Sequence, residues 1–137
     1  MKTILLVDDE IEIVKSLSEI LNRFGYSVIA RTEARTALSV VRDGAKIDLV
    51  ITDYRMPGMD GLEFLQALRQ MDASVPVIVL TAYGAVESYL KSLSLGVFDY
   101  INKPIKAKEL GRIVQAAIDS SERSDPPGDI SASRKET

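Results

Sequence analysis

Residues 48–61 read DLVITDYRMPGMDG. Leu49, Val50 and Ile51 form an apolar run without polar alternation, the pattern of a strand covered on both faces in a parallel sheet. The run stops at Asp53. Tyr54-Arg55-Met56-Pro57-Gly58 follows with turn chemistry, and after Gly61 the residues Leu62, Leu65 and Leu68 fall at helical spacing. One strand, one loop and one helix thus occupy about twenty residues, with a carboxylate at the junction of strand and loop.

The same unit recurs on both sides. The strand candidates are Ile4–Val7, Tyr26–Ala30, Asp48–Thr52, Val75–Leu80 and Val97–Ile101. In the first helical stretch Val14, Leu17, Leu21 and Phe24 form a stripe, and Gly25 can end it in the left-handed conformation. The second starts near Thr32, a plausible N-cap, and stops at Gly44. A fourth, after Gly84, carries Val86, Leu90 and Leu93 and ends at Gly96. The fifth starts near Ala107 with Leu110, Ile113, Val114, Ala117 and Ile118 inward. Five strands alternating with helices predict an α/β domain with one doubly wound parallel sheet and helices on both faces.

In such sheets ligands gather outside the carboxyl ends of the strands. Asp8, Asp9, Asp53, Thr81 and Lys103 all follow strand ends, so they converge on one edge. Crowding carboxylates there is costly, since two charges about 4 Å apart repel by roughly 4 kcal/mol at an effective dielectric near 20. A divalent cation is the simplest offset. Magnesium wants hard oxygen ligands in octahedral geometry and keeps several waters. An aspartate can attack phosphorus and form an acyl phosphate, and phosphoryl transfer needs mostly positioning and charge neutralisation. Lys103 supplies a positive charge and Thr81 a hydroxyl donor. Taken singly, each residue has a plainer reading. Asp8-Asp9 can cap a helix, Asp53 can be a turn residue, Thr81 a strand end and Lys103 an exposed loop lysine. Their conjunction on four strand ends favours a magnesium-dependent phosphoryl-accepting site.

Composition narrows the remaining classes. The 137 residues suit one domain, with 46% hydrophobic and 27% charged residues. A net charge of −3 gives no electrostatic reason for nucleic-acid binding. There are no cysteines, which excludes disulfides and thiolate chemistry, and no histidines, so any phosphohistidine belongs to a partner. No apolar stretch approaches the ~20 residues of a membrane span, and the N-terminus lacks a signal-peptide core, which predicts a cytoplasmic protein. From Ser121 onward the chain reads SERSDPPGDISASRKET, too polar to order itself. The division is therefore 1–120 as the domain and 121–137 as a disordered tail or linker.

The segments ILLVDDE, DLVITDYRMPGMDG, VPVIVLTAYG and FDYINKP closely resemble receiver domains of bacterial two-component response regulators. The resemblance covers residues 3–119. It implies the flavodoxin-like sheet order 2-1-3-4-5 with five helices, Asp53 as the phosphoacceptor, and Asp9 as a direct magnesium ligand with Asp8 acting mostly through water. It further implies that the Tyr54 backbone carbonyl completes the protein's share of the coordination, with manganese as an alternative ion. Thr81 and Lys103 match the family's signalling hydroxyl and phosphate-binding lysine, and Lys103-Pro104 is a cis-peptide candidate. Tyr100 matches the aromatic that follows Thr81 in the family switch, read out over the fourth helix, fifth strand and fifth helix, where Tyr89 and Lys91 are candidates. Arg55 and Tyr83 hold positions that influence acyl-phosphate lifetime. The implied donor is a sensor histidine kinase or a phosphotransfer protein. The output partner is unreadable, and a phosphorylation-dependent homodimer has no support in composition. The phrase LTAYGAVESYLKSLSLGVFDYINKP is similar to receivers of sigma-54 activators, although no G-x-x-x-x-G-K-[ST] motif of an ATPase occurs.

Two other functions compete. An aspartate-nucleophile phosphohydrolase commonly needs Asp-x-Asp-x-Thr after the first strand, where this chain has Asp8-Asp9-Glu10-Ile11. A phosphorylation-independent interaction module would not need the intact set of five polar residues.

Overall fold

The apolar run after Lys2 forms β1 (Thr3–Val7), and its two neighbours in the sheet are β2 (Ser27–Arg31) and β3 (Leu49–Asp53). β4 (Val77–Thr81) and β5 (Val97–Asn102) complete a five-stranded parallel sheet in the order β2-β1-β3-β4-β5. The computed structural model describes residues 1–71, 74–82 and 95–122. Four helices lie among the described residues: α1 (Ile11–Arg23), α2 (Ala34–Arg42), α3 (Gly61–Gln70) and α4 (Ala107–Glu122). The helix expected after Gly84 falls outside them, as do Tyr83, Tyr89 and Lys91, so five helices were expected and four are described. α4 reaches Glu122, two residues into the stretch whose composition reads as tail.

Unbroken apolar strands are explained by burial on both faces. Ile4, Leu6, Leu49, Ile51, Ile78, Leu80 and Ile101 pack with Val14, Leu17 and Leu21 of α1 and with Leu110, Ile113, Val114, Ala117 and Ile118 of α4. Leu5, Val7, Val50, Val77 and Val79 point the other way, onto α2 and onto Phe64, Leu65 and Leu68 of α3. Between β4 and β5 the register slips: Val77 pairs with Val97 but Ile78 with Asp99, leaving Phe98 as the extra residue. This slip puts Val97 and Tyr100 on the α2–α3 side together.

Two local expectations need correction. Thr32 is not the N-cap of α2. β2 runs on to Arg31, which pairs with Val7 and whose carbonyl accepts from the Asp8 N–H at 3.2 Å, so the helix starts later and Glu33 takes the cap position. Phe24 does not continue the buried stripe of α1. The helix ends at Arg23, and Phe24, 48% exposed, lies against Gly111 of α4, where an added Cβ would be 2.9 Å from its ring. No helix among the described residues is long and apolar enough to cross a membrane.

Candidate phosphoryl-accepting site

The carboxyl edge of the sheet collects the polar residues that the apolar strands carry at their ends. Asp53 and Thr81 are the last residues of β3 and β4, both buried, and Asp8 directly follows β1 with no exposed surface. Lys103 follows β5, whose ladder continues through a 3.0 Å bond from its N–H to the Thr81 carbonyl. The Lys103–Pro104 peptide bond is cis. The Lys103 ammonium lies 3.1 Å from Asp8 Oδ2, 3.3 Å from Asp53 Oδ2 and 3.4 Å from Glu10 Oε1. Asp9, Glu10, Asp53, Tyr54, Arg55, Thr81, Ala82 and Lys103 line a cleft of about 310 Å³.

The electrostatics are unfavourable without a further cation. Burial first, and the neighbouring Asp8 charge second, push the Asp53 carboxyl up to about 6, although Lys103 and the Tyr54 N–H pull the other way. Burial also raises Asp8. Burial draws the Lys103 ammonium down, yet Asp53 and Asp8 outweigh it and its pKa rises.

One oxygen each from Asp8, Asp9 and Asp53 can meet within 4.8 Å, and Asp9 is exposed where the other two are buried. Asp8 Oδ1 accepts the Glu10 N–H at 2.9 Å. Asp8 Oδ2 is buried and accepts no hydrogen bond of good geometry, its ammonium neighbour notwithstanding. Three hard oxygen donors, one of them buried with the Lys103 ammonium as its neighbour, fit a magnesium ion.

The remaining expected residues are placed as follows. Arg55 is exposed on the cleft wall. Tyr100 packs against the α2–α3 core with a buried hydroxyl oxygen, and its register partner is Val79, two residues before Thr81. Glu10 was not foreseen as a partner of Lys103; its place beside Asp8-Asp9 at the start of α1 is the only sequence signal. In the sequence Gly61 marks only the start of a helix, yet its N–H donates to the Tyr54 carbonyl at 2.7 Å.

Sheet order and site together define a doubly wound α/β domain with an acidic cation site and a lysine at its carboxyl edge. The chain belongs to the response regulator receiver domain family, whose model matches residues 4–115. It is 40% identical over 115 residues to regulatory protein AtoC of Escherichia coli K12, covering 84% of this chain and 25% of that protein. Transcriptional regulatory protein ZraR of the same strain is 36% identical over 115 residues, 84% of this chain and 26% of that one. The phosphate regulon transcriptional regulatory protein PhoB of Pseudomonas aeruginosa is 34% identical over 133 residues, 96% and 56% of the two chains. The chain thus spans about a quarter of the length of the first two relatives. A receiver domain protein from Clostridium thermocellum superimposes with a TM-score of 0.81 at 28% identity, covering 89% of this chain and 98% of that one. A CheY-like receiver from Methanospirillum hungatei gives 0.81 at 30% identity, with 90% and 98% covered. Phosphoryl acceptance and control of a partner are typical of this family.

Proposed function

We propose that Asp53 accepts a phosphoryl group from a phosphohistidine of a sensor kinase or phosphotransfer protein, and that the resulting acyl phosphate switches the domain between partner-binding states. The observation that carries this reading is a buried, charge-crowded Asp53 with the Lys103 ammonium 3.3 Å away. In the transfer, an Asp53 oxygen forms a bond to phosphorus, the phosphorus–nitrogen bond breaks, and the electron pair leaves with the partner's imidazole. Asp8, Asp9, Asp53 and the Tyr54 carbonyl would hold magnesium, which neutralises the phosphoryl oxygens when bound. Lys103 offers the protein's own positive charge to those oxygens, and Thr81 a hydroxyl. The chain acts as a switch that catalyses only its own phosphorylation and dephosphorylation.

Drawing Thr81 toward the phosphoryl group would vacate space beside Tyr100, coupling the site to the face of β5. Shifting a two-state population from 1:99 to 99:1 takes roughly 5.5 kcal/mol, a scale that a dianion paired with a metal and a lysine can supply. Arg55 and Tyr83 would shield the acyl phosphate from water, so an Arg55→Ala, Tyr83→Ala double variant should lose phosphate faster. The stretch 121–137, whose first two residues end α4, serves in this reading as a tail or linker, in a cytoplasmic setting.

The deciding experiment is incubation with acetyl phosphate and magnesium. A mass gain of one phosphoryl group in the wild type, absent in Asp53→Asn, is expected. An unmodified wild type, or an Asp53→Asn variant labelled equally, would overturn the assignment.

A further inference from the structure

Gly61 opens α3 and is buried against the strand that ends in Asp53. A Cβ built on it would stand 2.8 Å from Tyr54 Cα, 2.9 Å from the Asp53 carbonyl oxygen and 3.2 Å from the Tyr54 carbonyl oxygen. These are backbone atoms, so no rotamer change relieves the clash. Close approach therefore requires glycine here, and backbone conformation does not: the positive-φ glycines lie elsewhere.

The approach has a chemical consequence. The Gly61 N–H donates to the Tyr54 carbonyl at 2.7 Å. Thr52 Oγ1 donates to the preceding carbonyl, that of Asp53, at 3.0 Å, and the Tyr54 N–H donates to the Leu80 carbonyl at 3.0 Å. Both peptide planes around Tyr54 are thus held by named partners. The start of α3 is itself fixed: the Asp60 carboxylate accepts from the Glu63 N–H at 2.9 Å, and the Glu63 carboxylate accepts from the Asp60 N–H at 3.0 Å. A carbonyl oxygen has two lone pairs, so accepting the Gly61 N–H does not by itself rule out a cation on the same oxygen.

We infer that Gly61 is a positioning residue for the phosphoryl site: its N–H and its missing side chain together aim the Tyr54 carbonyl at the cation and lock the acidic edge to α3. The inference rests on the proposed reading of that carbonyl as a ligand. Helix propensity alone would favour alanine at this position, so a loss on Gly61→Ala runs against the local expectation.

The test is calorimetric titration of the full chain with magnesium, without any phosphoryl donor. The wild type is expected to bind, Gly61→Ala at least tenfold more weakly, and Leu68→Val, which loosens the same helix from its buried face, within twofold of wild type. An amide-to-ester replacement at Gly61 removes the donor and adds no bulk; it should weaken binding at least threefold, and it decides the matter if the alanine variant does not fold. Wild-type affinity in the folded alanine variant or in the ester would overturn the inference and leave the reading of the site intact. Equal weakening by Leu68→Val would also overturn it, by assigning the effect to general loosening. Failure of the wild type to bind magnesium would sink the reading of the site itself.

Discussion

At the amino end of the sheet, Asp48 Oδ2 accepts the Thr3 N–H at 2.8 Å, and Arg69 donates to the carbonyls of Val75, Leu95 and Gly96 at 2.8, 2.9 and 3.1 Å. At the carboxyl end, Asp8 and Asp53 are buried beside one another, both pushed toward their neutral forms, with one lysine between them. The amino end half-buries its charges and matches them with backbone groups, while the carboxyl end buries like charges facing each other. The first arrangement completes the fold. The second costs stability, and only added positive charge, such as a bound cation, would relieve it.

The contrast breaks most directly at Asp53. Asp53→Asn should abolish phosphoryl acceptance outright while keeping the fold, as judged by mass spectrometry and circular dichroism. At the opposite end Arg69→Met should do the reverse. It removes the donor to three carbonyls, two part-buried and one exposed, and each such bond contributes about 1 kcal/mol net where water can take the donor's place. A loss of about 3 kcal/mol in urea unfolding is expected, with magnesium affinity within twofold of wild type. A variant that keeps its stability would show that the three bonds are replaceable.

A pH scan sharpens the comparison further. Asp53 rises from 3.8 to about 6 on folding, a shift of about two units. Its folded-state value exceeds the unfolded one, so its contribution is full below about pH 4 and is lost as pH rises through about 6. Two units correspond to roughly 3 kcal/mol, reduced to about 2 kcal/mol by water in the cleft. Metal-free wild type should therefore lose about 2 kcal/mol relative to Asp53→Asn between pH 4 and pH 8, and magnesium should restore it. Parallel stability curves for the two proteins would contradict the charge crowding inferred here.

The sequence makes one end far more legible than the other. Each member of the carboxyl edge sits where an apolar run stops, so Asp8, Asp53, Thr81 and Lys103 can be found one at a time and then seen to share a side. The inward stripe from Leu110 to Ile118 is equally plain, because helical periodicity is local. Arg69 carries no such mark. In the chain it is an ordinary basic residue in the last turn of a helix, and its acceptors lie 6, 26 and 27 residues away. Phe24 misleads for a related reason: its spacing fits the stripe of α1, but the helix stops one residue earlier and the ring rests on Gly111, a partner set by the fold. Gly61 looks like any helix-opening glycine until the backbone of Asp53 and Tyr54 is placed beside it. Thr32 fails as a cap because pairing between Val7 and Arg31 prolongs β2.

The smallest effect tests whether the two ends are separable at all. Asp48 precedes β3 and Asp53 ends it, five residues further on. At about 3.3 Å per residue the two carboxylates are roughly 16 Å apart, beyond the Debye length of about 10 Å at 0.1 M salt. Asp48→Ala removes the acceptor for the Thr3 N–H and should cost about 1 kcal/mol. Asp48→Asn keeps a carbonyl oxygen in the same place and should cost less than about 0.5 kcal/mol. Neither should move magnesium affinity beyond twofold at 0.1 M salt, since screening removes the charge effect and β3 stays anchored on both sides by β1 and β4. Should Asp48→Ala weaken magnesium binding as strongly as it destabilises the fold, the strand would be transmitting strain along its length. The carboxyl edge would then owe its geometry to the amino end rather than to its own loop and to the start of α3.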